Sequence, residues 1–423
     1  EKVDMIINVK CMYTHSIVKD VTGAVHVYKS TNITMHGCSF IRNEAQLGGA
    51  MYLYELRNIW VKKCRYIGNK AYDIGGSLYI DNANMININL CMFTASYAHS
   101  IGSVIRSLDA KNIYISKSIF LNNTSTTPLL LSDHLYVICL LSKFLNNTSV
   151  LDQGAIRLTN VQFFMTIKCT FVKNRGIAAG VIGMEWGNYR DLNSIFKNNS
   201  SPAGAGAINL IDVGTIVNNG TIYEDNISEL SGGAVLIAFN KRYWICHNCM
   251  IFRNIAGHGG GGVYYEKGEN IHVINSTIAS NQALKNGGGM HLENIGSLTN
   301  IQTAFVNNSA KQGGAFYVSG NKSLTMSASF SMNKASRKGG VLFFQNVRYV
   351  SCLLSKFTRN SGRFGGVILG SRVQMYSLIL CMFVQNKAVE NCGVLQAEFS
   401  SDVQIKSSVF LRNRVQGEAG CIQ

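Results

Sequence analysis

Apolar and polar residues alternate in short stretches along the chain, and the alternation returns every 24 to 28 residues. In most repeats two apolar residues lie seven and five positions before an aromatic or aliphatic anchor, as Ile33 and Met35 precede Phe40. Such alternation is typical of a strand with one buried face, because successive side chains point to opposite sides. The repeat therefore predicts short strands throughout the chain. The anchors are Tyr13, Phe40, Tyr66, Phe93, Phe120, Phe144, Phe171, Phe196, Tyr223, Ile251, Ile278, Phe305, Phe330, Phe357, Phe383 and Phe410.

Each repeat predicts one turn of a parallel β-helix. The residue two before the anchor is always small, and a Gly-Gly pair such as Gly48 and Gly49 allows a tight bend with positive φ. A further short strand follows, which gives three strands and three bends per repeat. A single turn cannot bury its apolar face, whereas stacked turns share a core. We therefore expect an all-β fold, a right-handed single-stranded parallel β-helix (β-solenoid) of about 16 coils of 24–28 residues, as one domain over residues 1–423.

An asparagine follows the anchor by three residues in fourteen of the sixteen repeats, with Ser16 and Ser96 as the exceptions. In a stack of turns this column is expected to point inward, with side-chain amides that bond from turn to turn. That role is architectural, and we favour it over a catalytic one. The predicted ladder consists of Asn43, Asn69, Asn123, Asn147, Asn174, Asn199, Asn226, Asn254, Asn281, Asn308, Asn333, Asn360, Asn386 and Asn413.

The paired motifs resemble those of a known family. A hydrophobic-x-x-Asn element followed by Gly-Gly-Ala and an aliphatic residue resembles the repeat of chlamydial polymorphic outer-membrane proteins, and similar units occur in large surface proteins of ciliates and other protists. The resemblance covers nearly the whole chain, although the Gly-Gly pair is missing after Asn123 and after Asn174. It implies a right-handed parallel β-helix with a role in surface exposure, adhesion or assembly.

Composition narrows the class further. The 423 residues include 47% hydrophobic and 10% aromatic residues, which is too rich for a disordered chain, and two prolines exclude collagen. Charged residues make up 15%, which disfavours coiled coils. The most apolar stretch, residues 128–145, is interrupted by Asp133, His134 and Lys143 and makes a poor spanning helix. The start at Glu1 suggests that the segment belongs to a longer chain or is a filament subunit.

The twelve cysteines fall mostly in inward columns. Seven occupy the small-residue column and three lie five residues before an anchor, where Ser or Thr in other repeats favours simple core packing. Disulfides between adjacent turns are the alternative, because a strand spacing of ~4.8 Å is within the allowed range. Cys246 and Cys249 have a metal-like spacing without a second pair of ligands, so no cofactor is predicted. The candidate disulfide residues are Cys11, Cys38, Cys64, Cys91, Cys392 and Cys421.

Glycosylation sequons favour an extracellular, eukaryotic, secreted or cell-surface protein that carries N-linked glycans. Five sequons start at ladder asparagines and are expected to be inaccessible: Asn123, Asn147, Asn199, Asn226 and Asn308. The candidate glycan sites are Asn32, Asn122, Asn146, Asn198, Asn219, Asn275, Asn307 and Asn321.

An enzyme is the alternative that such folds also permit, because polysaccharide lyases and hydrolases are built on β-helices. Those enzymes need clustered carboxylates or a poised base. The best cluster, Glu185, Arg190 and Asp191, is expected to be a solvated loop. We therefore predict a protein without catalytic activity.

The formal charge of +16 is partly columnar. Basic residues recur on either side of the ladder asparagine and predict a stripe that attracts acidic glycans, with solubility as the alternative. Outward tyrosines such as Tyr52, Tyr79 and Tyr317 add a second candidate surface. We expect a structural or adhesive rod that self-associates or joins other chains, with no nucleic-acid partner; a glycan-binding adhesin and a polysaccharide-cleaving enzyme are the alternatives. The stripe residues are Arg42, Lys70, Lys173, Arg175, Lys197, Arg253, Lys334, Arg359, Lys387, Arg412 and Arg414.

Overall fold

The computed structural model describes residues 4–19, 23–320, 322–417 and 421–422. They form a parallel β-solenoid of about 15 turns and contain no helix, which confirms the predicted fold class. The number of turns is one below the expected sixteen, since sixteen anchors enclose fifteen intervals. No helix long and apolar enough to cross a membrane occurs in these residues.

The chain divides into two compact units, each a stack of parallel turns. Unit 1 comprises Glu1–Ala203 and Ala207–Leu210, and unit 2 comprises Gly204–Gly206 and Ile211–Gln423. The expectation of one continuous domain stays a prediction. The strands of unit 1 are Met5–Val9, Met12–Thr14, Val25–Tyr28, Asn32–His36, Ser39–Ile41, Glu44–Leu47, Met51–Lys62, Arg65–Ile67, Lys70–Ile74, Leu78–Asn89, Met92–Thr94, Tyr97–Ala98, Ile105–Ser116, Ile119–Leu121, Thr124–Ser125, Leu129–Leu140, Lys143–Leu145, Thr148–Ser149, Ile156–Ile167, Thr170–Val172, Ile182–Glu185, Asn188–Leu192, Ile195–Lys197 and Ser200–Ser201.

A further strand covers Ile208–Ile211. The strands of unit 2 are Thr215–Asn219, Ile222–Glu224, Ile227–Ser228, Val235–Ala238, Tyr243–His247, Met250–Phe252, Ile255–Ala256, Val263–Ile274, Thr277–Ala279, Gln282–Ala283, Met290–Val306, Ser309–Gln312, Phe316–Ser319, Ser323–Ser331, Lys334–Lys338, Leu342–Leu353, Lys356–Thr358, Ser361–Phe364, Ile368–Ile379, Met382–Val384, Lys387–Glu390, Leu395–Glu398, Asp402–Lys406, Val409–Leu411 and Arg414–Val415.

One turn of unit 1 shows the plan of the repeat. The strands Met51–Lys62, Arg65–Ile67 and Lys70–Ile74 follow one another, and each pairs in parallel with the strand one turn later. The long strand bends at Glu55, which has a φ of 53°. The three predicted strands per turn are therefore present, and the bend within the long strand is a corner that the sequence did not indicate.

The anchors form a continuous aromatic stack inside unit 1. From Tyr13 to Phe196, successive rings lie face to face with centroids 4.6–4.9 Å apart. A second stack runs from Phe305 to Phe410 in unit 2, with centroids 4.8–5.0 Å apart. Each aromatic pair contributes about 0.5–1.5 kcal/mol beyond its buried area. The stacks thus hold the turns in register within each unit.

The Gly-Gly bend is required by close backbone contact. Gly313 has a φ of 63°, and a Cβ on Gly314 would collide with the carbonyl oxygen of Gly340 in the next turn. Only glycine satisfies both conditions without strain.

Some outward side chains are covered. Tyr317, expected on the surface, is 9% exposed and packs with Phe343 and Leu369 on the outer face of a sheet. Phe364, from the strand before the glycine bend, packs against this cluster. The expectation of an exposed Tyr317 was wrong because rings from the two adjacent turns cover it: His291 and Phe343, with centroids 4.5 and 5.4 Å away.

Candidate polyanion-binding face

The asparagine column lies inside both units, and its amides are fully hydrogen-bonded. Asn281 donates through Nδ2 to the carbonyl of Ile251 at 2.9 Å and to Oδ1 of Asn308 at 3.0 Å. Its own Oδ1 accepts from N and Nδ2 of Asn254, both at 3.0 Å. All but Asn413, which is partly buried, are fully buried. The Asn281 amide thereby ties three turns together, and both its donors and its acceptor are used in these bonds.

The small residues two positions before the anchors donate hydrogen bonds as well as fitting a narrow space. The thiol of Cys169 donates to the carbonyls of Cys139 at 3.3 Å and Ile167 at 3.6 Å. Ser276 makes the equivalent bonds through its hydroxyl at 3.3 and 2.8 Å. A short S–H or O–H donor thus suits this position, which explains why Cys, Ser and Thr alternate there.

All twelve cysteines are free thiols in the structure. Burial raises the pKa of Cys169 to about 12, which keeps its thiol protonated and unreactive. The structure brings the thiol of Cys392 against the carbonyl of Cys421 one turn later. Oxidation of that pair, and of the run from Cys11 to Cys91, stays a prediction.

The candidate glycan sites differ in exposure. Asn122, Asn146, Asn198, Asn275 and Asn307 are exposed and have φ values of 46–53°. Their side chains therefore stand on outward corners. All five sequon asparagines of the ladder are buried, as expected.

The remaining glycan candidates are less accessible. Asn32 and Asn219 are half-buried, and Oδ1 of Asn32 accepts from Asn58 at 2.8 Å. Asn321 lies outside the described residues.

The candidate acidic cluster is not brought together. Glu185 and Arg190 are exposed, whereas Asp191 is fully buried and accepts from the hydroxyl of Thr166 at 2.5 Å. The expectation that Asp191 lies in a solvated loop was wrong. Asp191 is five residues before the anchor Phe196, which is the inward position that Cys139 occupies in another turn.

No group of three or more His, Cys, Asp or Glu side chains that could hold a metal ion occurs in the described residues.

Acidic neighbours neutralise Arg253 of the predicted basic stripe, whereas several other residues of the stripe have no acidic partner among the described residues. Arg253 is neutralised by Glu224 and by Asp225, whose Oδ1 lies 2.8 Å from its Nε. In the last turns of unit 2 the stripe residues are exposed and make no ion pair with any described residue. We call this set the basic face, and it consists of Lys334, Arg359, Lys387, Arg412 and Arg414.

Register places the basic face on neighbouring strands. Lys334, Ser361, Lys387 and Arg414 occupy equivalent positions on four consecutive parallel strands. At ~4.8 Å per strand, Lys387 and Arg414 are adjacent and Lys334 lies two strands away. Arg359 is on the corner before these strands, where its Nε donates to Gln385 at 3.0 Å.

The charge of the whole chain is concentrated in this region. Residues 301–417 contain 14 Lys and Arg against three Asp and Glu, a formal charge of +11 out of +16. Such a local excess raises the concentration of anions at the surface and speeds their association.

A cleft of about 400 Å³ lies at the bend within the long strands Leu342–Leu353 and Ile368–Ile379. We call it the corner groove, and it is lined by Lys322, Asn346, Arg348, Arg372, Gln374 and Phe399. The sequence analysis missed these residues because no single residue type marks that corner. Lys322 lies eight and Arg348 nine residues before its anchor, so a count from the anchors does not place them at equivalent positions.

No family model matches the chain, and no curated protein or solved structure matches it.

Proposed function

We propose that the chain is a non-catalytic adhesive and structural scaffold of a cell surface, which binds acidic glycans through the basic face. The observation that carries this proposal is the pair Lys387 and Arg414 on adjacent strands of unit 2, with Lys334 two strands before Lys387 and no ion pair to any described residue. A linear polymer with several anionic groups matches such a surface, because parallel strands place these cations in line at multiples of the strand spacing.

Three further features support the proposal. The inward amides and thiols are occupied by structural hydrogen bonds, and Asp191 points away from Glu185 and Arg190, which disfavours catalysis. Exposed sequon asparagines at corners suit a secreted glycoprotein. The repeat also resembles that of chlamydial polymorphic outer-membrane proteins and protist surface proteins. We include a relationship to these surface proteins in the proposal.

Binding to immobilised polygalacturonate, with neutral dextran as the reference, tests the proposed function. We expect polygalacturonate to bind and its affinity to fall as salt increases, because exposed charges are screened. Exposed ion pairs contribute about 0.2–1 kcal/mol each, so Lys387→Gln with Arg414→Gln should weaken binding about fivefold. Lys62→Gln with Lys63→Gln, which removes two exposed charges from unit 1, is the matched control.

Equal binding of both polymers, or an equal loss in the control variant, would contradict the proposal. Release of unsaturated sugar products from polygalacturonate by the protein would contradict its non-catalytic part. Self-association of the scaffold stays a prediction, which sedimentation velocity over a range of protein concentrations checks.

A further inference from the structure

The corner groove gathers three cations on neighbouring turns. The strands Ser323–Ser331 and Leu342–Leu353 pair so that Ser323 lies opposite Tyr349, which sets Lys322 opposite Arg348. The next strand places Gln374 opposite Arg348, and the Nε of Arg348 donates to Oε1 of Gln374 at 3.3 Å. Arg372 stands at the corner itself, with a φ of 57°.

These like charges lack compensation by the protein. Cations at directly opposed positions on paired strands repel one another. None of the described residues that line the groove is acidic, and Lys322, Arg348 and Arg372 make no ion pair with any described residue. An anion placed between them would relieve the repulsion and would meet guanidinium groups, whose planar forks match an oxyanion with two oxygens.

The walls of the groove add selectivity for a sugar ring. Phe399 is 86% exposed at the same corner one turn beyond Arg372, and it offers an apolar face at the rim. Asn346 and Gln374 supply amide donors and acceptors that suit ring hydroxyls. The combination of a flat apolar surface, amides and a cationic floor is suited to a small polar ligand with one charged substituent.

We propose that the corner groove is a binding site for a single sugar residue that carries an oxyanion, either a carboxylate or a sulfate. The inference rests on the proposed function for its ligand class, and it adds a discrete subsite to the extended basic face. Arg348 and Arg372 bind the oxyanion, Lys322 adds charge, and Phe399 packs against the ring.

Ligand-observed NMR titration with glucuronate, glucose 6-sulfate and glucose tests the site. We expect at least one charged sugar to bind about tenfold more tightly than glucose, because hydrogen bonds to charged groups are the stronger ones. The order of the two charged sugars identifies the oxyanion. Arg348→Gln and Arg372→Gln should each remove about tenfold in affinity, and Phe399→Ala about threefold for every sugar that binds.

Lys387→Gln with Arg414→Gln, which alters the basic face and no groove residue, is the matched control and should leave these affinities unchanged. The proposal is overturned if glucose binds as well as both charged sugars, or if the groove variants bind them as the unchanged protein does. A single sugar residue requires only the groove. If polygalacturonate binding did not depend on the basic face, the proposed function would fail, but the expected result of the single-sugar titration would not change. The two proposals can therefore fail separately.

Discussion

Replacing one ladder asparagine with aspartate is the most direct test of how the turns are held together. Asn281→Asp keeps the shape of the side chain and its two accepting contacts from Asn254. It removes the Nδ2 donor, so that the carbonyl of Ile251 and Oδ1 of Asn308 face a second oxygen. Both acceptors are then left without this partner in a buried site.

The magnitude follows from those two contacts. A buried polar group that loses its partner costs about 1–3 kcal/mol, so the two lost contacts predict a destabilisation of about 2–6 kcal/mol at neutral pH. Burial of the new carboxylate disfavours its charged form and raises its folded pKa. A raised folded pKa means that the folded state binds more protons than the unfolded state, so the penalty should grow as pH rises above ~4 and shrink below it.

Urea denaturation, combined with amide hydrogen exchange of peptides around residues 250–310, measures the effect. Exchange should rise in the turns that flank Asn281, because each turn of a solenoid depends on its neighbours. Asn307→Asp changes the same residue type at an exposed corner and should cost less than about 0.5 kcal/mol. A penalty for Asn281→Asp that is equally small, or independent of pH, would refute the reasoning.

Four further predictions concern stability and modification. The side-chain amide of Asn300 is buried in an inward strand column and has no hydrogen-bond partner among the described residues, so Asn300→Val should stabilise the protein by about 1–2 kcal/mol in urea denaturation. Asn218→Val, which removes bonds to a buried tyrosine and tryptophan, should destabilise it by about 2–3 kcal/mol. Burial lowers the pKa of His134 to about 4, so the unfolded state binds more protons below pH ~6.5 and stability should fall as pH drops towards 4. Denaturation of His134→Val should lack that loss, and an unchanged pH profile would contradict the assignment. In protein secreted from a eukaryotic host, peptide mass spectrometry should find glycan on Asn122 and none on Asn123, which is buried.

The inward half of this structure could be predicted from the sequence because the repeat constrains it. Phe40 and Asn43 must match their counterparts in adjacent turns, so their residue types recur at a fixed interval. The same register places Asp191 inward. The error over that residue arose because its segment was interpreted as a solvated loop and its distance from the anchor Phe196 was not applied. The fold class and the asparagine ladder can therefore be predicted from the period of the repeat.

The outward half could not be predicted in the same way. The bend that carries the corner groove is occupied by residues as different as Asn346, Arg372 and Phe399, each with a φ near 51–57°. The backbone there adopts a left-handed conformation because the stacked turns impose it, so no residue type marks the position. Tyr317 was misplaced for a related reason, since it is covered by His291 and Phe343 from the adjacent turns.

This division between inward and outward positions bears on function. Because the amide ladder and the aromatic stacks satisfy the interior of most turns in the same way, outward positions can change without loss of the core contacts. A surface of one sign can then be placed on chosen turns, as the +11 charge of residues 301–417 is. Like charges on adjacent strands destabilise a sheet slightly, and a well-held core tolerates that cost. The proposed ligand-binding roles of the basic face and the corner groove agree with this placement, since solubility would be served equally by charges of mixed sign spread over all turns.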